Sequence, residues 1–234
     1  MKILVMGSSP NSPVYEADKA YFANAALYEN SAHSALAGSR TLIFSAVAAQ
    51  ESSRRLALAR SQGHKLVVIN IEKSDSLDIF DSAKAHFEQA EYLSISNRIS
   101  IITSSSGLTE PIRSESFQFL GLATRAKMLF KCTTTHWARA LGRNSDFPAY
   151  FRISTGVFSL CYAIFENGAE PEYFLSGINP SQWNKIEAER TLHKWRPTSH
   201  NEADLTVLKA LFAQYKIYSE SKDLQVLGAR NSGA

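Results

Sequence analysis

The stretch KILVMGSSP, residues 2–10, holds an unbroken apolar run from Ile3 to Met6 that stops at a glycine, followed by two hydroxyls and a proline. It is too short for a helix and lacks the alternation of a half-exposed strand, so it reads as a strand buried on both faces of a parallel sheet. Outward along the chain the same pattern returns in KAYFAN (19–24), TLIFSA (41–46), KLVVINI (65–71), RISIITSS (98–105) and EYFLSGI (172–178), most of them closing on Gly, Ser or Asn. Between these runs, helical patterns cover AAQESSRRLALARSQG (48–63), SLDIFDSAKAHFEQAEYL (76–93), SFQFLGLATRAKMLF (116–130), TGVFSLCYAIFENG (155–168) and NEADLTVLKALFAQY (201–215). Gly63 and Gly168 stand where helices end. Strand alternating with helix predicts an α/β fold: a doubly wound, mostly parallel, Rossmann-like sheet with helices on both faces, in a single domain over 1–234. Residues 106–150 are polar at the start and helical in the middle, with no clear strand, and read as a small inserted helical lid. The closing GARNSGA reads as a frayed tail.

With 44% hydrophobic residues in 234 the chain can bury a proper core. Lys plus Arg number 25 against 22 Asp plus Glu, a net charge of +3. That balance gives no electrostatic case for a nucleic-acid partner. The two cysteines, Cys132 and Cys161, have no paired Cys or Cys/His spacing, so neither a disulfide framework nor a structural metal site is expected. The N-terminal run has the length of a strand rather than a secretory leader, and no run reaches the roughly 18 to 20 apolar residues of a membrane span. A cytoplasmic protein is expected, with at most a peripheral contact at the inner face of the membrane. Oligomeric state, a homo-oligomer included, is left open.

Doubly wound sheets bind ligands outside the carboxyl ends of their strands, so the polar residues closing the strands are the first candidates. Gly7, Ser8 and Ser9 follow the first strand; glycine admits close backbone approach and hydroxyls suit phosphate or ribose oxygens. Neither a dinucleotide fingerprint nor a Walker loop is present. Asn24 can read a base or ribose edge, or simply make a turn or cap a helix. Arg152, Ser154, Thr155 and Gly156 open a helix whose first-turn N–H groups suit an anion, the alternative being an ordinary Ser cap beside a surface arginine. His200, with Glu202 and Asp204 close behind, is a candidate general base or a solvated loop histidine.

Taken in order, GSSPNS, ANAALYE, RISTGV, LSGIN and HNEAD resemble the segments of the bacterial sialyltransferases that use CMP-sialic acid. The pair RISTGV and YFLSGI carries the specific part of the likeness. The resemblance implies that Gly7, Ser8 and Ser9 face phosphate or ribose and that Asn24 holds the nucleotide. It implies further that Arg152, Ser154, Thr155 and Gly156 line a CMP pocket, with Gly177, Ile178 and Asn179 beside the cytidine ribose. His200 would be the catalytic base of an inverting transfer from a CMP-sugar donor to a glycan or glycolipid acceptor, with no cofactor and no metal. The chain departs from the family at Ser8 (Asn there), Asn179 (Asp) and Ser181 (Tyr), and its His-to-Asp spacing is one shorter. Those departures keep two other readings in view: a nucleotide-binding module without catalysis, and another nucleotide-dependent enzyme on the same kind of sheet.

Overall fold

A computed structural model describes residues 1–7, 12–24, 38–45, 65–69, 76–108, 153–178 and 198–232. Among the described residues eight strands form one sheet: β1 (Lys2–Met6), β2 (Lys19–Ala23), β3 (Ser39–Ser45), β4 (Lys65–Ile69), β5 (Gln89–Leu93), β6 (Glu172–Ser176), β7 (Lys216–Ser219) and β8 (Arg230–Asn231). Their order is β5-β4-β3-β2-β1-β6-β7-β8, and every pairing is parallel. The described α-helices are α1 (Ser76–Ala83), α2 (Ile95–Ser106), α3 (Thr155–Asn167), α4 (Thr198–Gln214) and α5 (Lys222–Leu227). Among the described residues no helix is long and apolar enough to cross a membrane.

The apolar runs work as a two-faced sheet requires. Successive side chains point to opposite faces, so Ile3, Val5, Tyr21, Ile43, Val67 and Leu175 enter one core with α2, α3 and α4. Leu4, Met6, Phe22, Leu42, Phe44 and Val68 enter the other, which α1 covers through Ala83. Both faces are buried, which is why these strands show no polar alternation.

Three expectations are corrected. Residues 98–105 are helix, not strand: Ser94 caps α2 by accepting from Asn97 N, and Gly107 ends it in the left-handed conformation at φ 69°. Burial there falls on Ile101, Ile102, Ser105 and Ser106, a helical spacing. Both serines return their hydroxyls to the carbonyls of Ile101 and Ile102, which makes them tolerable inside a helix. Second, the helix expected over 76–93 ends at Ala83, and after a 3-10 turn at Lys84–His86 the chain forms β5. As the edge strand β5 has one neighbour and an exposed face, so it carries no continuous apolar run to mark it. Third, β7 went unrecognised and the tail is not frayed throughout, since Tyr218 and Ser219 pair with Arg230 and Asn231. The helices expected over 48–63 and 116–130, and all of the expected lid beyond residue 108, lie outside the described residues.

Helix α3 runs against the strands, so its C-terminal end lies at their N-terminal edge. There Lys65 at the start of β4 donates to Tyr162 Oη and Glu166 Oε1, both at 2.6 Å, and stands 3.3 Å from Glu91 of β5. Tyr162 donates to Glu91, Tyr21 of β2 donates to Glu166 Oε2 at 2.8 Å, and Lys19 donates to Asn167 at 2.7 Å. A glutamate in the last turn of a helix opposes the helix dipole; Lys65 compensates it. Burial alone would lower the Lys65 pKa, but Glu166 and Glu91 outweigh it and hold the ammonium above its ordinary value.

Candidate functional site

The first half of the chain builds outward from β1 to β5, and the second returns to β1 and builds the other way through β6. The strand order therefore reverses between β1 and β6, and the crevice outside the carboxyl ends at such a switch point is where open α/β sheets take ligands. Three described segments meet there: Gly7 after β1, Gly177 and Ile178 after β6, and the start of α3.

The two strand ends touch backbone to backbone. Gly7 N donates to Ser176 O at 2.7 Å, prolonging the ladder by one bond. A Cβ on Gly7 would lie 2.3 Å from Gly177 O and 2.9 Å from Ile178 Cγ1. Gly177 sits at φ 67°, and a Cβ there would lie 2.8 Å from both Gly7 O and Ser12 Oγ. The close approach that Gly7 permits is thus to Gly177, and its N–H is used within the sheet. Ile178 is 3% exposed and packs toward both Gly7 and Gly156, whose Cβ would come within 3.3 Å of Ile178 Cγ1.

Asn24 ends β2, the other neighbour of β1, in the left-handed conformation at φ 51°, which asparagine tolerates better than most residues. Its N–H donates to Ile43 O of β3 at 2.8 Å, so its backbone prolongs the ladder between β2 and β3 and its half-buried side chain stands at the carboxyl edge. Ser8, Ser9, Arg152 and Asn179 lie outside the described residues. His200, expected just ahead of a helix, is in the first turn of α4, which begins at Thr198.

Ser154 caps α3, its hydroxyl accepting from Val157 N at 3.3 Å. Thr155 and Gly156 follow in the first turn, where N–H groups have no intrahelical acceptor. Part of that capacity is taken by the chain itself: Ser154 N donates to Asp204 Oδ1 of α4 at 2.8 Å. Asp204 is 0% exposed, and its Oδ2 has no hydrogen-bond partner among the described residues. Burial drives its pKa up to about 8, against the opposing pull of the Ser154 hydrogen bonds and the Arg98 charge. Arg98 itself donates to Ile153 O at 2.8 Å and lies 5.5 Å from the Phe158 ring centroid. Cys161, one helical turn below, is fully buried and its thiol is raised well above the ordinary range, chiefly by desolvation, so it is no nucleophile. Among the described residues no group of three or more His, Cys, Asp or Glu is placed to hold a metal ion.

From the sequence, Asp204 reads only as a partner for His200. The signal that could have marked its other role is weak: an acidic residue inside an apolar stretch of helix, one turn after the histidine, whose burial depends on α2 and α3. Arg98, assigned to a strand, was missed for the same reason as α2.

The fold and this edge define a doubly wound parallel α/β protein with its strand-order switch between β1 and β6. Compared with protein-family models, curated proteins and solved structures, the chain matches none.

Proposed function

We propose that the chain is a CMP-sugar-dependent glycosyltransferase that moves sialic acid or a related keto-sugar acid to a glycan hydroxyl with inversion. The observation that carries the reading is the meeting of Gly7, Gly156, Gly177 and Ile178 at the switch point, since these belong to three segments whose order along the chain resembles the CMP-sialic-acid enzymes. In this reading the nucleotide lies outside the ends of β1 and β6, with its phosphate toward the first turn of α3 and the guanidinium of Arg152. His200 takes the proton of the acceptor hydroxyl as that oxygen bonds to the anomeric carbon and the bond to the CMP oxygen breaks, CMP leaving with the electron pair.

Calorimetry of the full chain against CMP, CDP, UMP, UDP, GDP and ADP tests it. CMP is expected to bind selectively, and Arg152→Ala to weaken it by about 1.5–3 kcal/mol, the range for hydrogen bonds to charged groups. Absence of any CMP preference would remove the reading. Selective CMP binding without release of CMP from CMP-sialic acid or from related CMP-linked keto-sugar acids in the presence of glycan acceptors would convert it to the module without catalysis, which the Ser8 and Ser181 departures favour.

A further inference from the structure

We propose that Asp204 is a positioning residue that joins α4 to the first turn of α3, and that it does so as a neutral carboxylic acid whose ionisation loosens that joint. The inference stands on the contact between the two helices and does not depend on the proposed activity.

The geometry sets two demands that a carboxylate cannot both meet. Oδ1 accepts from Ser154 N, a bond at a helix N-terminus that favours negative charge. The rest of the group is sealed: the residue is 0% exposed and Oδ2 has no hydrogen-bond partner among the described residues. An ionised oxygen left in that position costs more than the Ser154 hydrogen bonds and the Arg98 charge return, because desolvation of the buried carboxylate outweighs them. Neutralisation removes most of the penalty and leaves Oδ1 able to accept from Ser154.

Among the described residues no counter-charge is strong enough to reverse this. From α2 the Arg98 guanidinium favours the ionised form, but it also donates to Ile153 O and faces the Phe158 ring. From α3 the group nearest in effect is the buried Cys161 thiol, which is neutral. Packed against α4 as well, α5 and β7 bring the apolar Leu224 and Ile217 to the core. On α4 itself, His200 and Glu202 stand in the turn before Asp204.

The consequence runs in one direction. A carboxyl whose folded-state pKa lies at about 8, against an ordinary 3.8, holds a proton in the folded chain that the unfolded chain has released. Its contribution to stability is fully present below the ordinary value, declines from there upward, and is gone once pH passes the folded value. When the proton leaves, the buried charge is relieved by admitting water, and water reaches it by separating the first turn of α3 from α4. The device therefore couples alkaline pH to the helix start at the strand-order switch, and to the helix that carries His200.

The test compares wild type with Asp204→Asn and Asp204→Leu in the full chain without ligand. Asparagine keeps an acceptor for Ser154 N and cannot ionise. Between pH 6.5 and pH 9 the wild-type thermal midpoint is expected to fall by about 5 °C more than that of Asp204→Asn, from the linkage slope and the usual shift of the midpoint with stability. Amide exchange at Ser154, corrected for intrinsic base catalysis, is expected to accelerate across that window in wild type alone. Asp204→Leu is expected to lose stability at every pH. Parallel pH profiles for wild type and Asp204→Asn would overturn the neutral acid. Asp204→Asn as unstable as Asp204→Leu at pH 6.5 would overturn the acceptor role. Should Asp204→Leu fail to fold, the carbonyl stretch of a protonated carboxyl in the infrared difference spectrum of wild type against Asp204→Asn at pH 6.5 decides the protonation state, and its absence rejects the proposal.

Discussion

At its C-terminal end helix α3 is tied to β2, β4 and β5 by hydrogen bonds among Lys19, Tyr21, Lys65, Glu91, Tyr162, Glu166 and Asn167, each of them engaged in at least one. At its N-terminal end the Asp204 carboxyl has one oxygen bonded and the other without a partner among the described residues. Among the described residues, the same helix thus has one end whose charges are matched and one beside a buried carboxyl oxygen that has no hydrogen-bond partner. Matched networks rigidify, and incompletely satisfied ones are where protons or ligands have leverage. The difference separates the molecule into an anchoring edge at the strand N-termini and a responsive edge at their C-termini, where the strand order reverses.

Variants can break that division, beginning with the largest effect. On the proposed reading, His200→Ala lowers turnover with CMP-sialic acid by roughly 10²- to 10⁴-fold, the usual contribution of a positioned acid or base, while CMP affinity barely changes. Steady-state rates and calorimetry measure the two. Wild-type turnover in the variant would leave the responsive edge without its base.

Gly7→Ala comes next. The new Cβ would meet the Gly177 carbonyl at 2.3 Å, and because the obstacle is backbone rather than the end of a flexible side chain, the ends of β1 and β6 must separate. Denaturant unfolding is expected to show a loss on the order of 3 kcal/mol, the upper part of the range for overpacking a tight core. A near-neutral result would mean that the two strand ends part easily.

The smallest of the three falls on the anchoring edge. Lys65→Met removes the ammonium that faces Glu166, Glu91 and Tyr162 and leaves two partly buried carboxylates side by side. A loss of about 2 kcal/mol is expected, in the range of hydrogen bonds to charged groups, with CMP affinity unchanged. Because the Lys65 pKa is raised, its contribution persists through neutral pH and fades only above the ordinary lysine value of about 10.4. A change in CMP affinity would show that the two edges are coupled through α3.

The legible parts of the fold were those where one local pattern had one meaning. β1, β2, β3, β4 and β6 are central strands whose two buried faces force continuous apolar runs, and each was readable within two residues. Helix α3 was readable to the residue at its start, since Ser154 can cap it and Gly168 can end it. The Ile-rich run of α2 and the polar edge strand β5 were misread, because β-branched residues suit a strand and an edge strand needs no apolar face.

By itself the sequence determined the class of sheet, the strand ends on which polar residues gather, and the helix start at Ser154, because these follow from burial on two faces and from capping chemistry within a few residues. Only the tertiary structure decided that Gly7 serves the approach of Gly177, that Asp204 lies sealed against Ser154, and that Lys65 meets Glu166 across 101 positions of chain. Those contacts join segments distant in sequence. Whether a carboxyl is buried, and whether its second oxygen finds a partner, depends on the elements packed around it and is written in no local pattern.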